Sequence, residues 1–217
     1  LVQALQGQAV SGPDRFELEN DGFAEARWDR TMAHGAFVLK DGRVVADGRE
    51  QPFGARMRAV RNGAAYLFRD GVIEYRYRGV GGWGESGVMY RAAGAEQNTG
   101  YMVNPSTFPG WDGWRSLQRH DWASILMGRA GEFALDTWYT VRVAVHDHQH
   151  EVAIDGRPLL SVSDARYAEG AFGLFSWGAS AAEFDDVRIR PFAAIEPEAR
   201  VGEEVSWADA TEVRKVR

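Results

Sequence analysis

The segment GVIEYRYRG, residues 71–79, decides the fold, because apolar and charged side chains alternate along it without a break. The apolar and aromatic side chains fall on one face and the charged ones on the other: Ile73, Tyr75 and Tyr77 against Glu74, Arg76 and Arg78. A period of two residues is that of a β-strand with one face against a core. The segment therefore predicts a strand in a sheet that has one polar face.

Similar strand-like runs, separated by short turns, occupy most of the chain. Residues 35–48, GAFVLKDGRVVADG, predict a hairpin whose two-residue turn is Asp41-Gly42. Residues 138–163 predict three strands, with turns at Asp147-His148 and Asp155-Gly156. Further strands are predicted at 86–92, 100–105, 170–178 and 182–192.

Helical signals are scarce. No twelve-residue segment carries a convincing apolar stripe with helical spacing, although DWASILMGR, residues 121–129, is compatible with a short helix. At least ten short strands in one domain are typical of a β-sandwich or jelly roll. We therefore expect an all-β fold, a sandwich of two antiparallel sheets.

Composition limits the classes of partner and chemistry. The formal charge of −6 argues against nucleic-acid binding, which needs a basic face. The chain has no Cys, which excludes disulfides, zinc–thiolate sites and Cys nucleophiles. No run of 18 apolar residues occurs, so we expect no membrane span. A thiol-free chain fits the periplasm or secretion, and also the cytoplasm.

The domain boundaries follow from the strand pattern. We expect an N-terminal extension at 1–14, a jelly-roll domain at 15–192 and a charged, weakly periodic tail at 193–217. The first residues lack the charged start and long apolar core of a signal peptide. They are also compatible with a mature terminus left after cleavage.

Five segments in order carry a family resemblance: residues 19–45, 85–91 (ESGVMYR), 99–105 (TGYMVNP), 135–159 and 170–192. Together they resemble the concanavalin A-like jelly rolls of the group beside the family-16 glycoside hydrolases, which includes the 3-keto-disaccharide hydrolases. The resemblance implies a carbohydrate-binding groove on the concave sheet, an oligo- or polysaccharide partner and a place in bacterial polysaccharide metabolism.

The same comparison shows departures that concern activity. In the 3-keto-disaccharide hydrolases a Glu usually stands where this chain has Met102, and polar groups stand at the position of Trp177. The family-16 pattern of two Glu residues around an Asp on one strand is absent. Because retaining hydrolysis needs two carboxyl groups about 5 Å apart, the resemblance predicts the fold better than an activity.

Alternation separates core residues from groove residues. If Ile73, Tyr75, Val88, Tyr90, Tyr101, Val103 and Leu174 face the core, their neighbours face the groove. We expect the substrate to contact Arg76, Arg91, Asn104, Arg115 and Trp177. Trp177 offers a stacking surface for a sugar ring, and the arginines favour an acidic or densely hydroxylated glycan. The alternative is a solvated face of cross-strand Glu–Arg pairs.

Candidate catalytic groups lie in two places. Glu74 belongs to the predicted groove, and residues 108–122, FPGWDGWRSLQRHDW, predict a site-rimming loop in which His120 and Asp121 form an acid–base pair. An active glycoside hydrolase or polysaccharide lyase is thus one alternative to simple carbohydrate recognition. A structural or adhesive module without sugar binding is another.

Two further motifs concern metals. HDHQH, residues 146–150, has His at alternate positions but spans a hairpin tip, which predicts a solvated turn rather than a chelate. FDDVRIRP, residues 184–191, carries Asp185, and the family resemblance implies a structural calcium there, with further ligands near Asp21 and Gly42. The alternative is a pair of surface carboxylates without an ion.

Overall fold

In a computed structural model of the protein, the structure describes residues 28–29, 37–47, 55–61, 64–81, 84–93, 99–106, 113–121, 123–130, 133–178 and 181–192. These residues form strands and no helix. The strands in chain order are β1 Trp28–Asp29, β2 Phe37–Lys40, β3 Arg43–Asp47, β4 Ala55–Arg61, β5 Ala64–Ala65, β6 Leu67–Phe68, β7 Gly71–Gly81, β8 Gly84–Ala92, β9 Gly100–Ser106, β10 Gly113–Asp121, β11 Ala123–Ala130, β12 Trp138–His146, β13 Gln149–Ile154, β14 Arg157–Ser163, β15 Gly170–Gly178 and β16 Ala181–Pro191.

The strands form two antiparallel sheets. The larger sheet has the order β1-β4-β15-β8-β9-β10-β11, with the short strands β5 and β6 paired to β4 and β15. The smaller sheet has the order β14-β13-β12-β7-β16-β3-β2. The all-β prediction is therefore confirmed. Consecutive strands β7 and β8 lie in different sheets, which matters for the site.

The core between the sheets is built from the alternate residues that the sequence predicts. Tyr75 and Tyr77 of β7 are buried, as are Val88, Val103 and Leu174 of the larger sheet. Cross-strand pairing places Val88 opposite both Val103 and Leu174. Apolar side chains from both sheets thus form one continuous cluster, and its burial is the main stabilising contribution to the fold.

Two of the predicted turns have the backbone that their sequences favour. Asp41 and Gly42, between β2 and β3, have φ values of 52° and 75°. Asp155 and Gly156, between β13 and β14, have φ values of 48° and 73°. Positive φ at both central residues matches the right-handed twist of a hairpin, and Asp-Gly accepts it at little cost. Both hairpins are confirmed.

The region 108–130 differs from its prediction. Residues 113–121 form strand β10 instead of a loop, and 123–130 form strand β11 instead of a short helix. The two strands pair with each other, and β10 also pairs with β9. Register shifts near Leu117 break the side-chain alternation on which the sequence argument relied. Tertiary pairing overrides the weak local signal here.

A buried polar network joins the two sheets. His150 of β13 is fully buried, with its Nδ1 2.9 Å from the Tyr90 hydroxyl and its Nε2 3.1 Å from the carbonyl oxygen of Asp164. Because a carbonyl can only accept, Nε2 carries the proton and Nδ1 accepts from Tyr90. Burial lowers the pKa of His150 to about 4. The neutral ring is thus fixed in one tautomer.

The HDHQH segment is consequently only in part the solvated turn that the sequence predicts. His146 and His148 are exposed at the β12–β13 hairpin, whereas His150 lies in the core. In the described chain no group of three metal-ligating side chains occurs. No helix in that part of the chain is long and apolar enough to cross a membrane.

Candidate functional site

The outer face of the larger sheet is the candidate site. Along its central strands β15, β8 and β9, every second side chain points away from the core. The outward residues are Phe175 and Trp177 on β15, Glu85, Gly87 and Met89 on β8, and Met102 and Asn104 on β9. Pairing aligns them in rows across the sheet.

One end of this face is apolar and closed to solvent. Met89, Met102 and Phe175 are 3–4% exposed and pack in a cluster of their own, separate from the core between the sheets. Gly173, Met89 and Met102 lie in one row across three strands, and Phe175, which pairs with Gly87, lies in the neighbouring row. This end of the face is therefore not a solvated surface.

The other end of the face is open and aromatic. Trp177 is 39% exposed, and it is the one aromatic side chain among the large exposed hydrophobic residues of the described chain. Its cross-strand partner is Glu85, which is 8% exposed. Directly opposed side chains have Cβ atoms about 4.5–5.5 Å apart. An exposed indole therefore stands beside a shielded carboxylate.

The row between these two ends combines Phe175 and Gly87 with the polar residues Asn104 and Arg115. Asn104 is fully buried beside Gly87, whose position leaves no room for a side chain. A Cβ at Gly87 would clash with the Val103 carbonyl oxygen and with the Asn104 Cβ. Strand β10 pairs Arg115 with Asn104. The predicted residues Asn104, Arg115 and Trp177 thus belong to one sheet, and their strands are brought together.

Arg91 does not belong to this face, contrary to the prediction. Its side chain is 1% exposed and donates to the carbonyl oxygens of Arg69, Tyr167 and Asp147, at 2.8, 3.0 and 2.7 Å, and to Asp70 Oδ1 at 3.1 Å. Burial lowers the pKa of Arg91, and Asp70 opposes that shift. Arg91 is a structural clamp between loops.

A bulge explains the failure at Arg91. Pairing of β15 with β8 shifts by one residue between Ala171 and Gly173, so β8 contains an extra residue. Arg91 has a φ of 50°, which is uncommon for a residue other than glycine. Because one inserted residue reverses the alternation beyond it, strict periodicity assigns Arg91 to the wrong side.

Glu74 and Arg76 lie on the outer face of the smaller sheet, on the opposite side of the sandwich from Trp177. Glu74 pairs with Arg190 at 3.7 Å, and Arg76 pairs with Asp185 at 3.7 Å. The prediction that they share a groove with Trp177 is wrong, because β7 and β8 enter different sheets. This face is the solvated array of Glu–Arg pairs that the sequence left open as an alternative.

His120 and Asp121 lie at the far end of β10. His120 pairs with Gly100, whereas the Trp177 row crosses β9 at Ser106. Six residues of strand separate these rows, roughly 20 Å at about 3.3 Å per residue. The predicted acid–base pair therefore does not share the Trp177 end of the face.

Asp185, the predicted calcium ligand, already has cationic neighbours. Asp185 Oδ2 is 3.7 Å from Arg76 and 3.9 Å from Arg43, and Asp185 Oδ1 accepts the Asp186 N–H at 2.9 Å. Gly42 lies in the adjacent β2–β3 turn, and Asp21 is outside the described residues. Two guanidiniums beside this carboxylate are a poor match to a site in which six to eight oxygens surround a cation. The calcium site stays a prediction.

Sequence reasoning missed Glu85. Its signal was present, because Glu85 is two residues before Gly87 and four before Met89, on the outward side of the same strand. Burying a carboxylate at 8% exposure is costly unless it is hydrogen-bonded or neutralised. A charged group in that position next to an exposed aromatic ring is a common composition of a ligand site.

Comparison with solved structures supports the same architecture. The chain is similar to a carbohydrate-binding module, CBM66, from Bacillus subtilis, with a TM-score of 0.61 and 15% identity over 76% of this chain and 96% of the other. It is similar to a β-glucanase from Bacillus licheniformis, with a TM-score of 0.60 and 11% identity over 81% and 97% of the two chains. It is also similar to a putative glycosyl hydrolase from Parabacteroides distasonis, with a TM-score of 0.52 and 14% identity over 72% of this chain and 83% of the other.

At these identities the likeness establishes the fold alone, the concanavalin A-like jelly roll that the sequence predicts. No curated protein sequence matches the chain. A family model does match it, and that match spans residues 14–190, which include every described strand except the last residue of β16. The chain belongs to the family of 3-keto-alpha-glucoside-1,2-lyase-like domains, a carbohydrate-active family with the concanavalin A-like fold.

Proposed function

We propose that the protein binds carbohydrate on the outer face of the larger sheet, with Trp177 as the stacking surface. The observation that carries the proposal is the 39% exposure of Trp177 on β15, a strand whose neighbouring residues Phe175 and Ser176 are buried. An aromatic ring with this much surface open to solvent offers a contact to a ligand group. The C–H face of a sugar ring is a suitable one, because it stacks on an indole.

The rest of the face supports this function. Glu85 supplies a polar group directly opposite Trp177, and Met89, Met102 and Phe175 form an apolar cluster on the same face. Sites for small ligands combine mostly apolar walls with a few fixed polar groups. The family and the carbohydrate-binding and glucanase structures of the same fold favour sugars as the ligand class.

Enzymatic activity is the second candidate, and the family description favours a lyase. On the central strands β15, β8 and β9 of this face Glu85 is the one carboxylate, whereas retaining and inverting hydrolysis both need two carboxyl groups. A single carboxylate can serve as a general base for proton abstraction next to a carbonyl group. The site composition therefore supports eliminative cleavage of a 3-keto sugar better than hydrolysis through paired carboxylates.

The test is affinity electrophoresis of the wild-type protein through gels that contain laminarin, lichenan, xylan, levan, polygalacturonate or alginate. We expect retardation in at least one gel, and Trp177→Ala to weaken the interaction about fivefold to tenfold, from a stacking contribution of about 1 kcal/mol. The same samples are assayed for reducing ends and for absorbance of unsaturated products. Unretarded migration in every gel, with no product formed, contradicts carbohydrate binding.

A further inference from the structure

We propose that two copies of this chain associate edge to edge through strand β2, so that their smaller sheets join into one continuous antiparallel sheet. The inference goes beyond the proposed function, because it concerns the opposite sheet from Trp177. It rests on the backbone and the side chains of Phe37–Lys40, which form β2.

Strand β2 is an edge strand with apolar side chains at the surface. It ends the smaller sheet, and in the part of the chain that the structure describes it pairs with β3 alone. Val38 is 55% exposed and Leu39 is 41% exposed. An edge strand with unpaired backbone groups and apolar side chains is a template for another strand.

The opposite edge of the same sheet differs from β2. Strand β14 begins with Arg157-Pro158, and a proline has no N–H to offer to a further strand. Strand β14 also contacts β10 and β11 of the larger sheet. Proteins commonly protect an edge with proline, charge or a covering element. Strand β2 has no proline, and its one charged residue, Lys40, comes last.

The pairing of β2 with β3 fixes which backbone groups face the open edge. Lys40 and Arg43 flank the two-residue turn and form a hydrogen-bonded pair, after which hydrogen-bonded and non-hydrogen-bonded pairs alternate. The N–H and C=O groups of Lys40 and Val38 therefore point toward β3. Those of Phe37 and Leu39 point away from it, so they are the groups that a new strand would meet.

These groups select one symmetric register, in which Val38 lies opposite Val38 of the second copy. Phe37 of each copy then lies opposite Leu39 of the other, and these two residues exchange both N–H···O=C bonds. A register centred on Leu39 would place Phe37 opposite Asp41, which belongs to the turn and has a φ of 52°. Pairing centred on Val38 is self-complementary and closes at two copies, which favours a second copy as the occupant.

The same register buries the exposed apolar side chains. Val38 faces the outer side of the sheet, where it meets its own copy in a non-hydrogen-bonded pair with Cα atoms about 4.5 Å apart. Leu39 faces the inner side, since its cross-strand partner Val44 is buried in the core. There Leu39 packs on Phe37 of the second copy and extends the core. The contact is small, so we expect a weak dimer whose population depends on concentration.

Sedimentation equilibrium of the full chain at micromolar to millimolar concentrations tests the inference. We expect the weight-average mass of the wild type to rise from that of one chain toward that of two. Val38→Lys and Val38→Glu each place like charges opposite each other at the two-fold axis, so each should weaken association by about tenfold or more. An equimolar mixture of the two variants should associate again, because opposite charges then meet.

Leu67→Lys is the matched control, because Leu67 is 56% exposed and lies on β6, in the larger sheet. We expect it to leave association unchanged. A wild type that stays monomeric at every concentration overturns the inference. A dimer that survives Val38→Lys, or a mixture that fails to associate although circular dichroism shows both variants folded, overturns it as well.

Hydrogen exchange separates a second copy from another occupant of the same edge. In the dimer the amides of Phe37 and Leu39 should become protected as the concentration rises, since the proposed bonds use them. Protection of these two amides in a monomer would assign the edge to another segment of this chain and contradict pairing with a second copy. None of these outcomes bears on carbohydrate binding at the Trp177 face, so the two proposals fail independently.

Discussion

The two outer faces of the sandwich are built from the same alternation but have opposite character. On the smaller sheet, Arg43, Arg76 and Arg78 lie 4.7–5.7 Å from the ring of Trp138, and their charges are paired with Glu183 and Asp185. On the central strands β15, β8 and β9 of the larger sheet the outward residues other than Trp177 are buried and mostly apolar, and Trp177 is exposed.

The difference shows what distinguishes a candidate binding face from a solvated one. Both faces have a tryptophan, but cations cover Trp138 whereas Trp177 presents 39% of its surface to solvent. A face whose charges are paired with each other is expected to bind a ligand weakly, because the ligand would have to replace those ion pairs. The composition of a strand does not reveal which case applies.

The largest expected effect concerns Arg91, which the sequence assigned to a groove and the structure places in the interior. Arg91→Ala removes four hydrogen bonds and leaves Asp70 without this cation, so we expect a loss of roughly 3–5 kcal/mol in the free energy of unfolding. Arg76→Ala, on the solvated face, should cost about 1 kcal/mol or less. Urea unfolding of both variants is the measurement. Similar losses would show that Arg91 is not a clamp.

The second prediction concerns the buried hydrogen-bond network of His150, which joins the two sheets. The pKa of His150 falls from 6.5 to about 4 on folding, so the unfolded chain binds more protons between these values. Stability should be highest above pH 6.5 and fall progressively as the pH drops to about 4, by on the order of 3 kcal/mol from this group.

Urea unfolding at pH 7, 5.5 and 4 measures this dependence, and the difference from His150→Gln isolates the histidine from titrating carboxylates. His146→Gln, at an exposed position of the same hairpin, is the control and should keep the wild-type pH dependence. If His150→Gln shows the same fall in stability as the wild type, the ring does not carry the effect.

The third prediction compares the two tryptophans directly. Trp177→Ala should weaken polysaccharide binding about fivefold to tenfold and leave the unfolding free energy nearly unchanged, because the ring is partly exposed. Trp138→Ala should do the reverse: binding is unchanged, and stability falls by about 1 kcal/mol as the cation–π contacts are lost. Binding that depended on Trp138 would move the site to the smaller sheet.

The smallest effect is expected at Asp185, where two interpretations differ. The predicted calcium site requires a melting midpoint that rises with added calcium, falls with chelator and no longer responds in Asp185→Ala. Pairing with Arg76 and Arg43 alone requires a midpoint that neither reagent moves, and exposed ion pairs contribute about 0–1 kcal/mol. Thermal melts with millimolar calcium or chelator separate the two.

The features that depend on neighbouring residues alone were predicted correctly from the sequence. Alternation in residues 71–79 correctly identified Ile73, Tyr75 and Tyr77 as core, since the period of a strand is a property of the chain alone. The Asp-Gly turns were predicted for the same reason, because positive φ is a preference of the residues themselves. Asn104 and Trp177 were correctly placed on an outward face.

The pairing between strands could not be predicted from the sequence. From alternation we predicted correctly that Arg76 and Trp177 both point away from the core. Alternation does not show that β7 and β15 lie in different sheets, so the two residues were wrongly assigned to one groove. The bulge at Arg91 and the pairing of β10 with β11 likewise depend on what each strand lies against. Glu85 became a candidate only when pairing placed it opposite Trp177.

The sequence by itself thus determined the strands, their inward faces, several turns and the family of this protein. The tertiary structure decided which outward faces are shared, which arginines are buried and which tryptophan meets solvent. The physical reason is range: backbone preference and periodicity act over a few residues, whereas hydrogen-bonded pairing joins strands far apart in the chain, as β15 and β8 are.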